Sequence, residues 1–160
     1  MAANTDYLIS AEQAVTLDGL FRERVRRTPD AVAYRDFNQQ HQNWRDYTWS
    51  QIDFQVARWQ SALELDGLKA GERVAVMCRN SPEWVIFDQA ALGLGLIVVP
   101  LYTQDRPDNV AYILNDAGCK VLLLGNFEQW KPFAEVRAQL GGIRPLEATH
   151  AGGTRRKQKA

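Results

Sequence analysis

The chain has 160 residues, 46% of them hydrophobic and 24% charged, which is enough for one buried core and ordinary for a globular protein. Lys and Arg together number 19, as do Asp and Glu, and this zero formal charge argues against a general nucleic-acid binder, which carries a basic excess. The longest apolar run, Ala90 to Tyr102, is broken by Gly93, Gly95 and Pro100 and falls short of the roughly 18 residues that suggest a membrane span.

Residues 1–15 show no clear period, and no basic stretch leads into an apolar one, so no secretory signal is read there. Thr16 is placed to cap a helix running to Arg27, with Leu17, Leu20, Phe21 and Val25 on its apolar face and Arg22, Glu23 and Arg26 outside. Thr28-Pro29-Asp30 stops it, because the residue before a proline is pushed out of the helical region. Ala31 to Phe37 alternates as a strand, Asn38 to Asn43 turns, and Trp44 to Tyr47 returns. Thr48 and Ser50 are candidate caps for a long helix to Leu65, whose stripe is Ile52, Val56, Trp59 and Leu63.

The pattern then changes. Gly67 and Gly71 bracket a turn, and Arg73 to Cys78 is a short apolar run of the kind buried on both faces of a parallel sheet. Asn80-Ser81-Pro82-Glu83 opens a helix with a cap, a first-turn proline and an acid at the positive dipole end. Leu96 to Leu101 is predicted as a second buried strand. Arg106-Pro107-Asp108 opens a helix with Val110, Ile113, Leu114 and Ala117 as its stripe. Val121 to Leu124 is a third strand, and Lys131 to Leu140 a last helix with Phe133, Val136 and Leu140 inward. Strands alternating with helices imply a parallel α/β sheet. Gly141 to Ala160, with Gly152-Gly153 and the run Arg155-Arg156-Lys157-Gln158-Lys159, is expected to be a disordered basic tail.

The candidate motifs read structurally. Gly93-Leu94-Gly95 ends a helix, whereas a dinucleotide fingerprint follows a strand and has a third glycine where this chain has Val98. Gly152-Gly153-Thr154 lacks the spacing of a phosphate loop. Cys78 and Cys119 lie far apart in apolar runs with no CxxC pair, so they read as two buried reduced thiols. His41 and His150 sit in polar loops without partners at a catalytic spacing. Asp105 and Asp108 around Arg106 read as loop and cap chemistry. Trp44, Trp49, Trp59, Trp84 and Trp130 read as core.

Several segments in order nonetheless resemble one family. Residues Phe21 to Ala33, with their Thr28-Pro29-Asp30 break, are similar to the opening of the AMP-forming, adenylate-forming synthetases. Tyr47-Thr48-Trp49-Ser50-Gln51-Ile52 resembles their first core motif, and Leu68 to Val76 their glycine-led approach to the next strand. Asn80-Ser81-Pro82-Glu83-Trp84 and Gly95 to Tyr102 resemble the following helix and second motif. The Asn-x-Pro-Glu-Trp wording and the Pro100-Leu101-Tyr102 ending favour the fatty acyl-CoA synthetase branch over luciferases, peptide-synthetase adenylation domains and aryl-CoA ligases.

The resemblance implies a fold and a chemistry. The fold is the partial N-terminal subdomain of the synthetase over residues 16–146, a β-α-β-α-β-α unit preceded by a helix, a strand pair and a long helix. An extension (1–15) precedes it and the basic tail (147–160) follows. The family's reaction joins ATP, fatty acid and CoA through an acyl-adenylate, with Mg²⁺. Its phosphate loop, magnesium acid, ribose aspartate and mobile lysine lie downstream of the matched region. No catalytic, cofactor-binding or metal residue is therefore assigned, and no bound cofactor is expected for these residues alone. They are read as a truncated fatty acyl-CoA synthetase, inactive alone, or as a non-catalytic interaction module that complements a second chain. The expected setting is cytoplasmic or peripheral to a membrane, without nucleic acid or a transmembrane segment, and with self-association through an exposed sheet edge.

Overall fold

The computed structural model describes residues 8–38, 41–148 and 154–156. The chain divides into two compact units, Met1–Phe54 and Gln55–Ala160.

In the first unit a single-turn helix, α1 (Ala11–Ala14), stands where the sequence shows no period. Local chemistry makes it: Ser10 Oγ accepts from Gln13 N–H (3.3 Å) and Gln13 Oε1 accepts from Ser10 N–H (3.0 Å), a reciprocal cap. Helix α2 (Leu17–Arg27) starts as predicted, with Thr16 Oγ1 accepting from Gly19 N–H at 2.9 Å. Of its expected apolar face only Phe21 is buried, while Leu17 and Leu20 are exposed. Strands β1 (Val32–Asn38) and β2 (Asn43–Thr48) form an antiparallel hairpin with Phe37 opposite Trp44 and Arg35 opposite Asp46. The Arg35–Asp46 pair is bidentate, at 2.5 and 2.8 Å. Trp49 packs its ring against Phe21 and Tyr34, with centroids 6.1 and 5.8 Å away.

Helix α3 (Trp49–Leu65) begins in the first unit and runs into the second. Its predicted stripe, Ile52, Val56, Trp59 and Leu63, is buried throughout. In the second unit come β3 (Arg73–Met77), α4 (Pro82–Gly93), β4 (Ile97–Pro100), α5 (Pro107–Asp116) and β5 (Cys119–Leu124). Two 3₁₀ segments (Phe127–Ala134 and Arg137–Leu140), β6 (Arg144–Ala148) and β7 (Thr154–Arg156) follow. The sheet order is β4-β3-β5-β6-β7, parallel except for the β6–β7 pair. The alternation of strands and helices thus gives the parallel α/β sheet that the sequence predicts. β3 and β5 lie at its centre, and Val74, Ala75, Val76, Leu122, Leu123 and Leu124 are wholly buried. Trp59 of α3 meets Phe87 of α4 edge to face, at 5.3 Å.

Three expectations are corrected. β4 is an edge strand: it has apolar residues, but it lies outside β3, and Ile97 is 51% exposed. The last helix is two 3₁₀ pieces. Asn126 and Gln129 cap the first several residues earlier than predicted, and Pro132 inside it supplies no N–H and crowds the turn before it. Phe133 and Leu140 are still buried as expected. The expected tail contains β6, whose Leu146 is wholly buried, and β7. Arg144 at the start of β6 pairs with the nearly buried Asp66 at 3.3 Å. The remainder of the tail, 149–153 and 157–160, lies outside the described residues.

Candidate functional site

In an open parallel sheet, ligands bind beyond the carboxyl ends of the strands, where loops from neighbouring strands diverge. β3 leads through α4 to β4 on one side, and β5 leads on to β6 on the other, so the divergence falls between β3 and β5. Gly125 and Cys78 face one another across it. A Cβ placed on Gly125, just past β5, would stand 3.5 Å from the Cβ of Cys78, just past β3. An open space lies one strand over, at the carboxyl ends of β3 and β4, as a cavity of about 600 Å³.

Its walls come from three local features. The loop after β3 gives Cys78, Arg79 and Asn80; the first turn of α4 gives Trp84; the end of β4 and the following loop give Pro100, Leu101, Tyr102 and Thr103. Leu101 N–H donates to Val76 O (2.9 Å), which continues the β3–β4 pairing to the cavity's lip. Ser81 Oγ accepts from Trp84 N–H (3.4 Å) and so starts α4 beside the cavity. The amide ends of α4 carry partial positive charge, partly offset by Glu83 in the first turn. Arg79 is exposed and makes no ion pair among the described residues.

Burial, and to a lesser degree the Glu83 carboxylate, push the Cys78 thiol up to about 12. It therefore stays protonated at neutral pH and is no nucleophile. Burial also raises Cys119, against a smaller opposing effect of Arg73. Asp88 on α4 is raised by burial, with a hydrogen bond from Gln89 pulling the other way, but it does not line the cavity. Among the described residues no three His, Cys, Asp or Glu side chains gather to hold a metal ion. The lining is an amphipathic surface: two aromatic side chains, a proline, a leucine and a thiol, with one guanidinium, one amide and the hydroxyls of Tyr102 and Thr103.

The sequence motifs fall where their structural readings put them. Gly93 ends α4, and Gly95 takes φ +69° in the following turn, where a side chain would crowd Ala70 at 3.1 Å. Asp105 accepts from Arg106 N–H (2.8 Å) and from Asn109 (2.6 Å), and Arg106 pairs with Asp108 (2.7 Å), so this group is loop and cap chemistry. His41 is an exposed turn residue whose N–H donates to Asn38 Oδ1 (3.0 Å). His150, Gly152 and Gly153 lie outside the described residues. Both cysteines are free and buried, as expected. Trp59 and Trp130 are core, but Trp44 is 65% exposed and Trp84 lines the cavity, which corrects the core assignment for those two. No cavity residue was singled out as a site from sequence. The usable signal was the position of Arg79, Asn80, Tyr102 and Thr103 directly after strands of a parallel sheet.

The fold agrees with comparison to known proteins. Residues 21–156 match the family described as AMP-binding enzyme, and the chain belongs to that adenylate-forming family. It is 33% identical to the phosphinothricin tripeptide synthetase PhsB of Streptomyces viridochromogenes over 74% of this chain and 10% of the relative. To the long-chain-fatty-acid–CoA ligase FadD15 of Mycobacterium bovis it is 30% identical, over 77% of this chain and 20% of the relative. The solved fatty acyl-CoA synthetase of Mycobacterium tuberculosis superposes with a TM-score of 0.64 at 26% identity, covering 83% of this chain and 24% of that one. The chain thus spans between a tenth and a fifth of the length of these two curated relatives. Fatty-acid–CoA ligases are among the relatives, as the resemblance implies, and so are peptide synthetases.

Proposed function

We propose that these 160 residues supply the first part of a fatty acyl-CoA ligase, which activates a fatty acid with ATP and passes it to CoA. The cavity over β3 and β4 then forms one wall of its substrate site. The observation that carries this is the cavity's position and make-up: it lies at the carboxyl ends of the sheet in an AMP-binding enzyme fold, with Arg79 free to meet an anion. Trp84, Pro100, Leu101 and Tyr102 suit the uncharged body of an amphipathic substrate, and Arg79, Asn80 and Thr103 its anionic or polar end. The family's Mg²⁺ and the phosphate chemistry of ATP fall to groups outside these residues, so the chain alone forms no acyl-adenylate. The exposed edge of β4 further supports self-association of the isolated chain.

The test is pyrophosphate exchange with Mg·ATP and a panel of fatty, aromatic and amino acids. It is run on the chain alone and on a chimera in which residues 21–156 replace the matching segment of a mycobacterial long-chain-fatty-acid–CoA ligase. The chain alone gives no exchange and the chimera exchanges with fatty acids. Exchange by the purified chain alone, or a folded chimera that activates amino acids in place of fatty acids, contradicts the proposal.

A further inference from the structure

We infer that Gln129, which does not itself line the cavity, is the positioning residue for its floor: its side-chain oxygen holds Gly125 against Cys78 and so fixes the loop that presents Arg79 and Asn80. The inference rests on the cavity being the functional site proposed above.

The geometry starts from sheet register. Met77 of β3 stands beside Leu124 of β5, the last registered pair at the carboxyl end. One step further the chains bring Cys78 beside Gly125. A Cβ on Gly125 would lie 3.5 Å from Cys78 Cβ, in ordinary contact, and 3.2 Å from Gln129 Oε1, tight enough that the Gln129 side chain would have to give by a few tenths of an ångström. Gln129 Oε1 accepts from Gly125 N–H at 2.7 Å. It also accepts from Asn126 N–H at 3.3 Å, and Asn126 Oδ1 accepts in return from Gln129 N–H at 3.3 Å. The pair of long bonds is a capping box that starts the 3₁₀ segment. The short bond goes to Gly125, outside that box, and a cap alone does not call for it. Phe127 N–H donates to Glu147 Oε1 (3.3 Å), which ties the same turn to β6. Gln129 thus leans on a turn anchored at the far side of the sheet and presses Gly125 onto the cavity's floor. Cys78 is the reporter. It faces the cavity, it is buried, and its thiol is held protonated, so it reacts slowly with thiol reagents unless the loop loosens. Cys119, buried at the opposite end of β5, reports general loosening instead.

The experiment labels the full chain with a small maleimide under native conditions and follows each cysteine by peptide mass spectrometry. Gln129→Leu raises the rate at Cys78 about fivefold, the factor set by the net worth of one hydrogen bond, and leaves Cys119 unchanged. Gln129→Glu keeps an acceptor oxygen and stays near the wild-type rate. Asn126→Ala removes the cap but not the Gly125 bond and also stays near it. If Gln129→Leu does not fold, Gln129→Asn draws the acceptor back by one methylene and gives the same selective rise. Equal increases at both cysteines, no increase at Cys78, or an equal increase in Asn126→Ala overturns the inference. The readout needs neither ligand nor turnover, so it stands or falls separately from the ligase reading.

Discussion

Two neighbouring strands of the sheet are built from the same kind of residue and live in different surroundings. β3 holds Val74, Ala75 and Val76, all wholly buried between α-helical and strand neighbours. β4 holds Ile97, Val98 and Val99, yet Ile97 is half exposed and the strand's outer edge has no partner among the described residues. An apolar run therefore reports that a strand can be buried, and its place in the sheet order decides whether it is. The order follows from the connections: the chain leaves β3 for β4, then crosses back over β3 to reach β5. The same asymmetry shapes the cavity, because β4 ends beside β3 with no strand beyond it among the described residues.

The largest expected effect tests the comparison directly. Leu122→Ala in β5 opens a cavity in the centre of the core and should cost about 2–5 kcal/mol in a urea unfolding experiment. Ile97→Ala, on a half-exposed side chain at the edge, should cost roughly 1 kcal/mol or less, since much of its surface is already in water. Equal losses would mean that β4 is covered in solution.

Backbone geometry gives a smaller difference. Gly118 precedes β5 with φ +63°, and a Cβ there would stand 2.8 Å from the Arg73 guanidinium, whose Nε donates to Ala117 O at 2.6 Å. Gly67 has φ +79° and open space around it. Both substitutions to alanine incur left-handed strain of about 1–2 kcal/mol, and Gly118→Ala adds the cost of displacing Arg73. A melt in which Gly67→Ala is the more damaging would contradict the placement of Arg73.

Much of this was legible in the sequence, and the reasons are specific. The stripe Ile52, Val56, Trp59 and Leu63 and the cap-proline start at Ser81-Pro82 depend on residues within one or two helical turns. β6 escaped because its only wholly buried residue, Leu146, stands between Pro145 and Glu147, which give it neither alternation nor an apolar run. The edge position of β4 is set by partners distant in sequence. Five cavity residues, Asn80, Trp84, Pro100, Leu101 and Tyr102, lay in motifs that the sequence already offered, but that they share one cavity with Arg79 and Thr103 follows only from the pairing of β3 with β4.

The exposed edge makes a further, concentration-dependent prediction. The isolated chain should sediment as a mixture of monomer and larger species at micromolar concentration, and Ile97→Lys should shift it to monomer, as charged residues do on natural sheet edges. A sharp wild-type monomer would contradict it.

The smallest effect lies in the first unit. Hydrogen bonds from Arg26 and then Arg27 hold the Glu23 carboxyl down at about 2, below its ordinary 4.5. The folded value lies below the unfolded one, so this contribution is complete above about pH 4.5 and fades as pH falls toward 2. Arg26 is exposed and Glu23 and Arg27 only half-buried, so solvent screens the group and the effect is slight. Glu23→Gln should lower stability a little at pH 6 and converge with wild type near pH 2. A gap that widens with acid would contradict the sign.

The central claim is that the cavity over β3 and β4 meets substrate, and Arg79 tests it most directly. Arg79 pairs with nothing among the described residues, so its removal should not weaken the fold. In the active chimera, Arg79→Ala should lower kcat/KM for a fatty acid or for CoA about tenfold, the effect of losing one charge-assisted hydrogen bond, while the melting temperature stays within a degree or so. Unchanged kinetics for both substrates in a folded Arg79→Ala chimera would contradict the account.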